Sequence, residues 1–218
     1  MIDDAFPAYA YDDDLIDAAR RDGRTRVRVY RLTAPVVVLG SGSRPDVELY
    51  VDACRADNVP IVRRRGGGCA VSLDPGNIIV SVAATGLPFG HHQRHFDTLT
   101  NWLIGGLERI GIPGVRPAGI CDLCIGERKI GGACLRRFRD LLYYSASLLV
   151  APDLDGVTRY IKHPPREPAY RRGRPHTEFM GSLRSITPDA EQVAADLRHV
   201  LDPPELPCQP GNQVAPAS

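Results

Sequence analysis

Three arginines and three glycines in a row, Arg63-Arg64-Arg65-Gly66-Gly67-Gly68, sit between the apolar runs PIV and CAV, and this block constrains the chain more than any other. Glycines without Cβ atoms let the main chain pass close to a ligand, and neighbouring amides can converge on an anion. The arginines before them offer planar donors that suit phosphate or carboxylate. The spacing is neither that of a phosphate-binding P-loop, G-x-x-x-x-G-K-[ST], nor G-x-G-x-x-G. A surface turn with solvated arginines is the plainer alternative. The placement between two apolar strands favours a binding site formed by Arg64, Arg65, Gly66, Gly67, Gly68 and Cys69.

A second block, Cys121-Asp122-Leu123-Cys124-Ile125-Gly126-Glu127-Arg128-Lys129-Ile130-Gly131-Gly132-Ala133, follows about 60 residues later. Gly126 and Glu127 read as a turn that returns the chain into a strand near Lys129. A lysine flanked by apolar and glycine residues is partly desolvated, which suits direct contact with an anion. Asp122 could bind a metal or hold an amine, and Gly132 and Ala133 are candidate substrate- or ATP-binding residues in the same block. A hairpin with an exposed lysine is the competing reading of this block alone.

The remaining pattern predicts alternating short strands and helices. Residues 12–20 read as a helix with Leu15, Ile16 and Ala19 on one face. VRVYRL and PVVVLG are β-branched runs, DVELYVDACRADN over 46–58 has helical spacing, and NIIVSVAAT follows the turn Asp74-Pro75-Gly76-Asn77. From Phe96 to Ile110 the apolar positions step by three and four, an amphipathic helix closed by Gly111, with Trp102 at the edge of the stripe. Residues 129–150 suggest two strands around a turn at Arg136 to Asp140. Thr187 and Pro188 are placed to cap and open a last helix. Elements that mix without strict alternation favour an α+β fold over a doubly wound sheet. One domain is expected over 1–200, with a disordered proline-rich tail over 201–218 and no C-terminal accessory domain.

Charge and cysteines narrow the class further. A formal net charge of +1 gives no broad basic field for a nucleic-acid backbone. No apolar run approaches the roughly 18 residues that span a bilayer, and the acidic N-terminus lacks the layout of a signal peptide. A cytoplasmic protein with no nucleic-acid or membrane partner is expected. Its six cysteines are then reduced thiols. Cys121 and Cys124 form a lone C-x-x-C without an obvious fourth ligand, so no zinc is expected. The basic run Arg166 to Arg174 reads as a solvated loop that can help dock an acidic carrier, and His176 as a surface histidine.

Together and in this order, the two blocks resemble the lipoate–protein ligase family, whose segments read R-R-x-x-G-G-G-x-V-x-H-D-x-G-N and N-D-L…G-x-K-[IV]-x-G. The resemblance runs from about Tyr11 through Leu183 and takes in IKHPPREPAYRRGRPHTEF. It implies the α+β catalytic domain shared by lipoate ligases, octanoyltransferases and biotin ligases. It also implies that lipoate and ATP–Mg²⁺ condense to lipoyl-AMP, from which a lysine of a carrier domain of the E2 or H-protein type displaces AMP. On that resemblance Lys129 is the catalytic lysine and Arg64, Gly67 and Gly68 line the acyl and phosphate site. Asn77 and Asp122 match the family's asparagine and aspartate, and Asp122 is the candidate for Mg²⁺.

The chain departs from the family pattern at Leu73, which replaces a histidine, and at Cys69, which replaces the third glycine. Tyr143-Tyr144-Ser145-Ala146-Ser147-Leu148 stands where the family has H-H-G-[ST]-L-L. These changes bear on substrate choice more than on fold. Full ligases often carry an accessory domain, so a separate accessory subunit is a candidate partner. An ATP-independent octanoyl or lipoyl transferase working through a cysteine thioester at Cys69, Cys121 or Cys134 is the runner-up. A non-catalytic lipoate- or carrier-binding module is the third reading.

Overall fold

The computed structural model describes residues 6–87, 90–139, 141–187 and 189–206. Two sheets carry the architecture. The larger has six strands in the order β1-β5-β9-β8-β7-β6, every pair antiparallel. Its strands are β1 (Arg26–Tyr30), β5 (Asn77–Ala84), β6 (Arg116–Ala118), β7 (Asp122–Ile125), β8 (Arg128–Phe138) and β9 (Leu141–Leu149). The smaller has the order β3-β2-β4, with β2 (Val36–Leu39) parallel to β3 (Ile61–Arg63) and antiparallel to β4 (Val71–Leu73). The helices are α1 (Asp13–Asp22), α2 (Pro45–Glu48), α3 (Val51–Ala56), α4 (His92–Arg109), α5 (Leu154–Tyr160), α6 (His176–Phe179) and α7 (Ala190–Val200). Sheets packed with segregated helices make this the expected α+β class.

Side-chain alternation divides the large sheet into two unlike faces. The outer face is apolar. Ile78, Val80 and Val82 of β5 and Leu142, Tyr144 and Leu148 of β9 pack on Leu99, Leu103 and Leu107 of α4 and on Val193, Ala194 and Leu197 of α7. The inner face is covered in two patches. The small sheet sits over Ile79 with Val36, Val38, Val62 and Leu73. Helix α1 sits over Ala83 and Tyr143 with Leu15, Ile16 and Ala19, the stripe its spacing predicted. Between these patches the sheet presents Gly132, Cys134, Ser145, Ser147 and Ser81, a small and polar strip.

Three expectations change. The helix over 46–58 is broken, because Leu49 takes an extended backbone and pairs with Ile161, and the amide of Tyr50 donates to Tyr160 O at 2.9 Å. That break buries Leu49 and leaves Tyr50 exposed, although the helical stripe placed Tyr50 inside. The last helix is capped by Asp189, whose carboxylate accepts from the amides of Glu191 and Gln192; Pro188 lies outside the described residues. The tail expected to be disordered from Leu201 stays packed through Leu206. Leu201 and Leu206 join the outer core, and Trp102 Nε1 donates to Asp202 O at 3.0 Å; residues 207–218 lie outside the described ones. Leu206→Ala should therefore lower unfolding free energy by about 2–5 kcal/mol in a urea titration; an unchanged midpoint would show that this segment does not hold the core.

Candidate functional site

Lys129 reaches the inner face through a register shift. Between β7 and β8 the pairs run Asp122↔Gly132 and Leu123↔Gly131, then jump to Cys124↔Lys129, which leaves Ile130 as the extra residue of a bulge. Strict alternation would place Lys129 and Gly132 on opposite faces; the bulge brings them together. Lys129 Nζ lies 2.6 Å from Asp122 Oδ1, with the lysine side chain 26% exposed and the aspartate 9%. A Cβ at Gly132 would stand 3.2 Å from Nζ, so glycine there gives the ammonium its seat. Ala133 turns to the outer core, its amide donating to Cys121 O at 2.8 Å.

The second oxygen of Asp122 accepts a 2.7 Å hydrogen bond from Tyr170 OH, and that hydroxyl accepts a 3.3 Å contact from Cys124 Sγ. Burial pushes the Tyr170 phenol up, helped by Cys124 and Asp122, so it stays a donor. The Tyr170 ring packs on Phe179 at 5.3 Å between centroids, and Arg171 and Arg174 lie over the same Phe179 ring. Tyr170, Arg171 and Arg174 of the stretch read as a solvated basic loop thus pack into a wall of the site, while Arg166 and Arg172 stay exposed. Arg171 is 4% exposed, and burial lowers its pKa. His176 is half-buried, not a surface histidine, and desolvation lowers its pKa while Nε2 faces Lys162 O at 3.2 Å. Tyr170 and Arg171 were missed in the sequence; the available signal was aromatics, Tyr170 and Phe179, embedded in a charged run.

The arginine–glycine block lies over the polar strip. The amide of Ser41 donates to Gly66 O at 2.9 Å, and a Cβ on Gly66 would meet Cys134 Sγ at 2.8 Å. The arginines point into the loop more than out of it. Arg63 Nη1 donates to Gly40 O and Ser43 O, and Arg64 Nη2 donates to Gly67 O at 2.7 Å and Cys69 O at 2.9 Å. Arg65 turns away to Asp13, at 2.8 Å, and lies over the Phe138 ring. Buried Glu48 closes the clamp, accepting from Ala70 N at 2.6 Å and Ser43 Oγ at 3.1 Å. Among the described residues, no main-chain carbonyl accepts from the amides of Gly66, Gly67 and Gly68, which leaves them as donors.

Asn77 is on the same face but braces a turn: its Oδ1 accepts from Asp74 N at 2.7 Å, and Asp74 in turn accepts from Gly76 N and Asp153 N. The thiols of Cys69, Cys121, Cys124 and Cys134 are all pushed up by burial first of all, which opposes a thiolate nucleophile. Among the described residues no group of three or more His, Cys, Asp or Glu is placed to hold a metal. An open groove of about 1290 Å³ between α2, α3 and α5 includes neither Lys129 nor Asp122 and is separate from this site.

A half-buried ammonium held by a carboxylate stands on the strand whose Cys134 supports the glycine loop, a set of donors that suits an anion. Residues 4–201 match the lipoyl protein ligase A/B catalytic domain, and the chain belongs to that family. The lipoate-protein ligase A of Psychrobacter cryohalolentis is 30% identical over 131 residues, 59% of this chain and 36% of that protein. Lipoate-protein ligase 1 of Staphylococcus aureus is 25% identical over 134 residues, 62% of this chain and 40% of the relative. The chain thus matches well under half the length of these relatives. Among solved structures, a bipartite lipoate protein ligase from Thermoplasma acidophilum shares the fold with a TM-score of 0.73 at 23% identity, covering 87% of this chain and 74% of that one. A lipoate-protein ligase A bound with ATP aligns with a TM-score of 0.73 at 22% identity, covering 86% and 75%. No helix among the described residues is long and apolar enough to cross a membrane.

Gly66→Ala should lower stability by about 1–3 kcal/mol through overpacking against Cys134. Adding Cys134→Ala should recover most of that loss in chemical unfolding, a coupling expected of touching residues; additive losses would separate the loop from the strip.

Proposed function

We propose that this chain is an acyl-adenylate-forming lipoate–protein ligase: it joins lipoate to ATP and passes the lipoyl group to a lysine of a carrier domain. The observation that carries this reading is the Lys129–Asp122 pair, seated beside Gly132 and next to the glycine loop. In the first step a carboxylate oxygen of lipoate attacks the α-phosphorus of ATP, and the bond to pyrophosphate breaks. Negative charge then gathers on oxygens that Lys129 and the amides of Gly66, Gly67 and Gly68 are placed to receive. In the second step the carrier amine attacks the acyl carbonyl, a C–N bond forms, the anhydride C–O bond breaks and AMP leaves with its electron pair.

Asp122 holds Lys129 in place, and Tyr170 fixes Asp122. With one N–H given to Asp122, the Lys129 ammonium keeps two further donors for an incoming anion. Mg²⁺ held through nucleotide phosphates needs only one or two protein carboxylates; Asp122 would hold it by releasing Lys129, and the ion would offset phosphate charge. Arg64 contributes by shaping the loop, through the carbonyls of Gly67 and Cys69, and Asn77 by bracing the turn into β5. Arg166 to Arg174 borders the site and suits an acidic carrier domain of the E2 or H-protein type. A separate accessory subunit is the further partner, on the analogy of the bipartite archaeal relative. The raised thiols weigh against the cysteine transferase reading.

The test is the intact mass of a purified lipoyl-carrier domain after incubation with this protein, lipoate and Mg²⁺, with and without ATP. A lipoyl gain that requires ATP supports the ligase; transfer from an acylated carrier without ATP would replace it with the transferase. Lys129→Ala should cut the transfer rate roughly 10²–10³-fold in a variant that still unfolds cooperatively, with a lowered midpoint from the unpaired Asp122, and near-normal turnover in that variant would overturn the role given to Lys129.

A further inference from the structure

The polar strip beneath the glycine loop ends at a buried carboxylate that the reaction does not use. Asp12 is 2% exposed. It precedes α1, yet its side chain makes no cap hydrogen bond and turns down onto the sheet. Its Oδ2 accepts from three hydroxyls: Tyr143 OH at 2.6 Å, Ser81 Oγ at 2.8 Å and Tyr30 OH at 3.0 Å. Tyr9 extends the cluster through a 2.9 Å contact with Tyr30 OH, and Ser145 Oγ lies 3.3 Å from Ser81 Oγ. Burial, with Asp12 nearby, pushes the Tyr30 and Tyr143 phenols up, so both remain donors toward it.

The other oxygen, Oδ1, is buried and has no hydrogen-bond partner. Its nearest cation, Arg28 Nη1, stands 4.0 Å away and gives its hydrogen bonds to Tyr11 O and Asp14. A buried carboxylate oxygen left without a donor costs free energy that a donor of the right reach would recover. The strip leads from the Lys129–Asp122 pair to Ser81, which holds the other oxygen of the same carboxylate. Gly132 stands across from Ser147, Cys134 across from Ser145, and Ser145 across from Ser81. Two strand spacings and two residues of rise put Ser81 about 12 Å from Gly132, about the reach of an eight-carbon acid whose carboxylate sits at Lys129.

We infer that Asp12 is a specificity-determining residue, and that the preferred acid carries a hydrogen-bond donor at its far end, a thiol as in the reduced dithiol form of lipoate or a hydroxyl. Acids that end in a methyl group or a disulfide ring offer Oδ1 nothing. This rests on the reading of Lys129 as the carboxylate-binding residue.

Calorimetric titration with octanoate, 8-hydroxyoctanoate, lipoate and dihydrolipoate tests it. In the unmodified protein 8-hydroxyoctanoate should bind about tenfold more tightly than octanoate, as a hydrogen bond to a charged group implies. Dihydrolipoate should exceed lipoate by a smaller factor, since a thiol is a weaker donor. Asp12→Asn keeps the shape but removes the charge, so both ratios should shrink toward the few-fold effect of a neutral hydrogen bond; Asp12→Leu should reverse the first. Melting curves for both variants report whether they fold, and Asp12→Asn decides if Asp12→Leu does not. Equal or tighter binding of octanoate by the unmodified protein, or ratios unmoved in Asp12→Asn, overturns the inference. Lys129→Ala separates the two readings. Loss of affinity for all four acids in that variant keeps the carboxylate at Lys129 even where the ratios fail, whereas retained affinity, or no binding by the unmodified protein, removes the site reading and the inference with it.

Discussion

One extra residue in one strand decides what this fold can do. The bulge at Ile130 rotates Lys129 onto the inner face, and only from there can its ammonium meet Asp122 across the ladder. An ammonium brought this far out of water needs a partner, because desolvation of an unpaired charge is costly. Asp122 supplies it, Tyr170 satisfies the remaining oxygen, and the packing of Tyr170 on Phe179 ties the segment from Arg166 to Phe179 to the sheet edge. The wall of the site is therefore built outward from a single charge.

The glycine loop is fixed by a different economy of hydrogen bonds. Arg64 and Ser43 bind its carbonyls, Glu48 the Ala70 amide, and Arg63 the carbonyls of Gly40 and Ser43, joining the turn after β2 to the turn after β3. Gly40 belongs to the same clamp, since a Cβ there would lie 1.9 Å from Gly68 O. With its carbonyls engaged internally, the loop has its amides left to offer, an arrangement suited to anions. The arginines that mark the loop in the sequence act chiefly as its scaffold.

Much of the fold was legible because its signals are local. The stripe of α4, the strand at Asn77–Ala84 and the β8–β9 hairpin follow from periodicity and turn residues. Lys129 and Asp122 stood out through glycine and apolar neighbours. What stayed hidden depends on distant packing. Leu49 leaves a helical pattern to pair with Ile161, and Arg171 is buried where its turn folds back under Phe179. Leu206 finds the outer core from within a proline-rich tail. Asp12, in an acidic N-terminal run, reads as solvated until Tyr30, Ser81 and Tyr143 are brought over it from three different strands.

The large sheet separates two kinds of work onto its two faces. Hydrocarbon on the outer side fixes the strands against α4 and α7, while the inner strip from Gly132 to Ser81 holds no large apolar side chain that the fold needs. Side chains of the strip point away from α4 and α7, so a change among them leaves the contacts of the outer core in place. A lineage built on this scaffold can wander in substrate while the hydrocarbon layer beneath stays as it is.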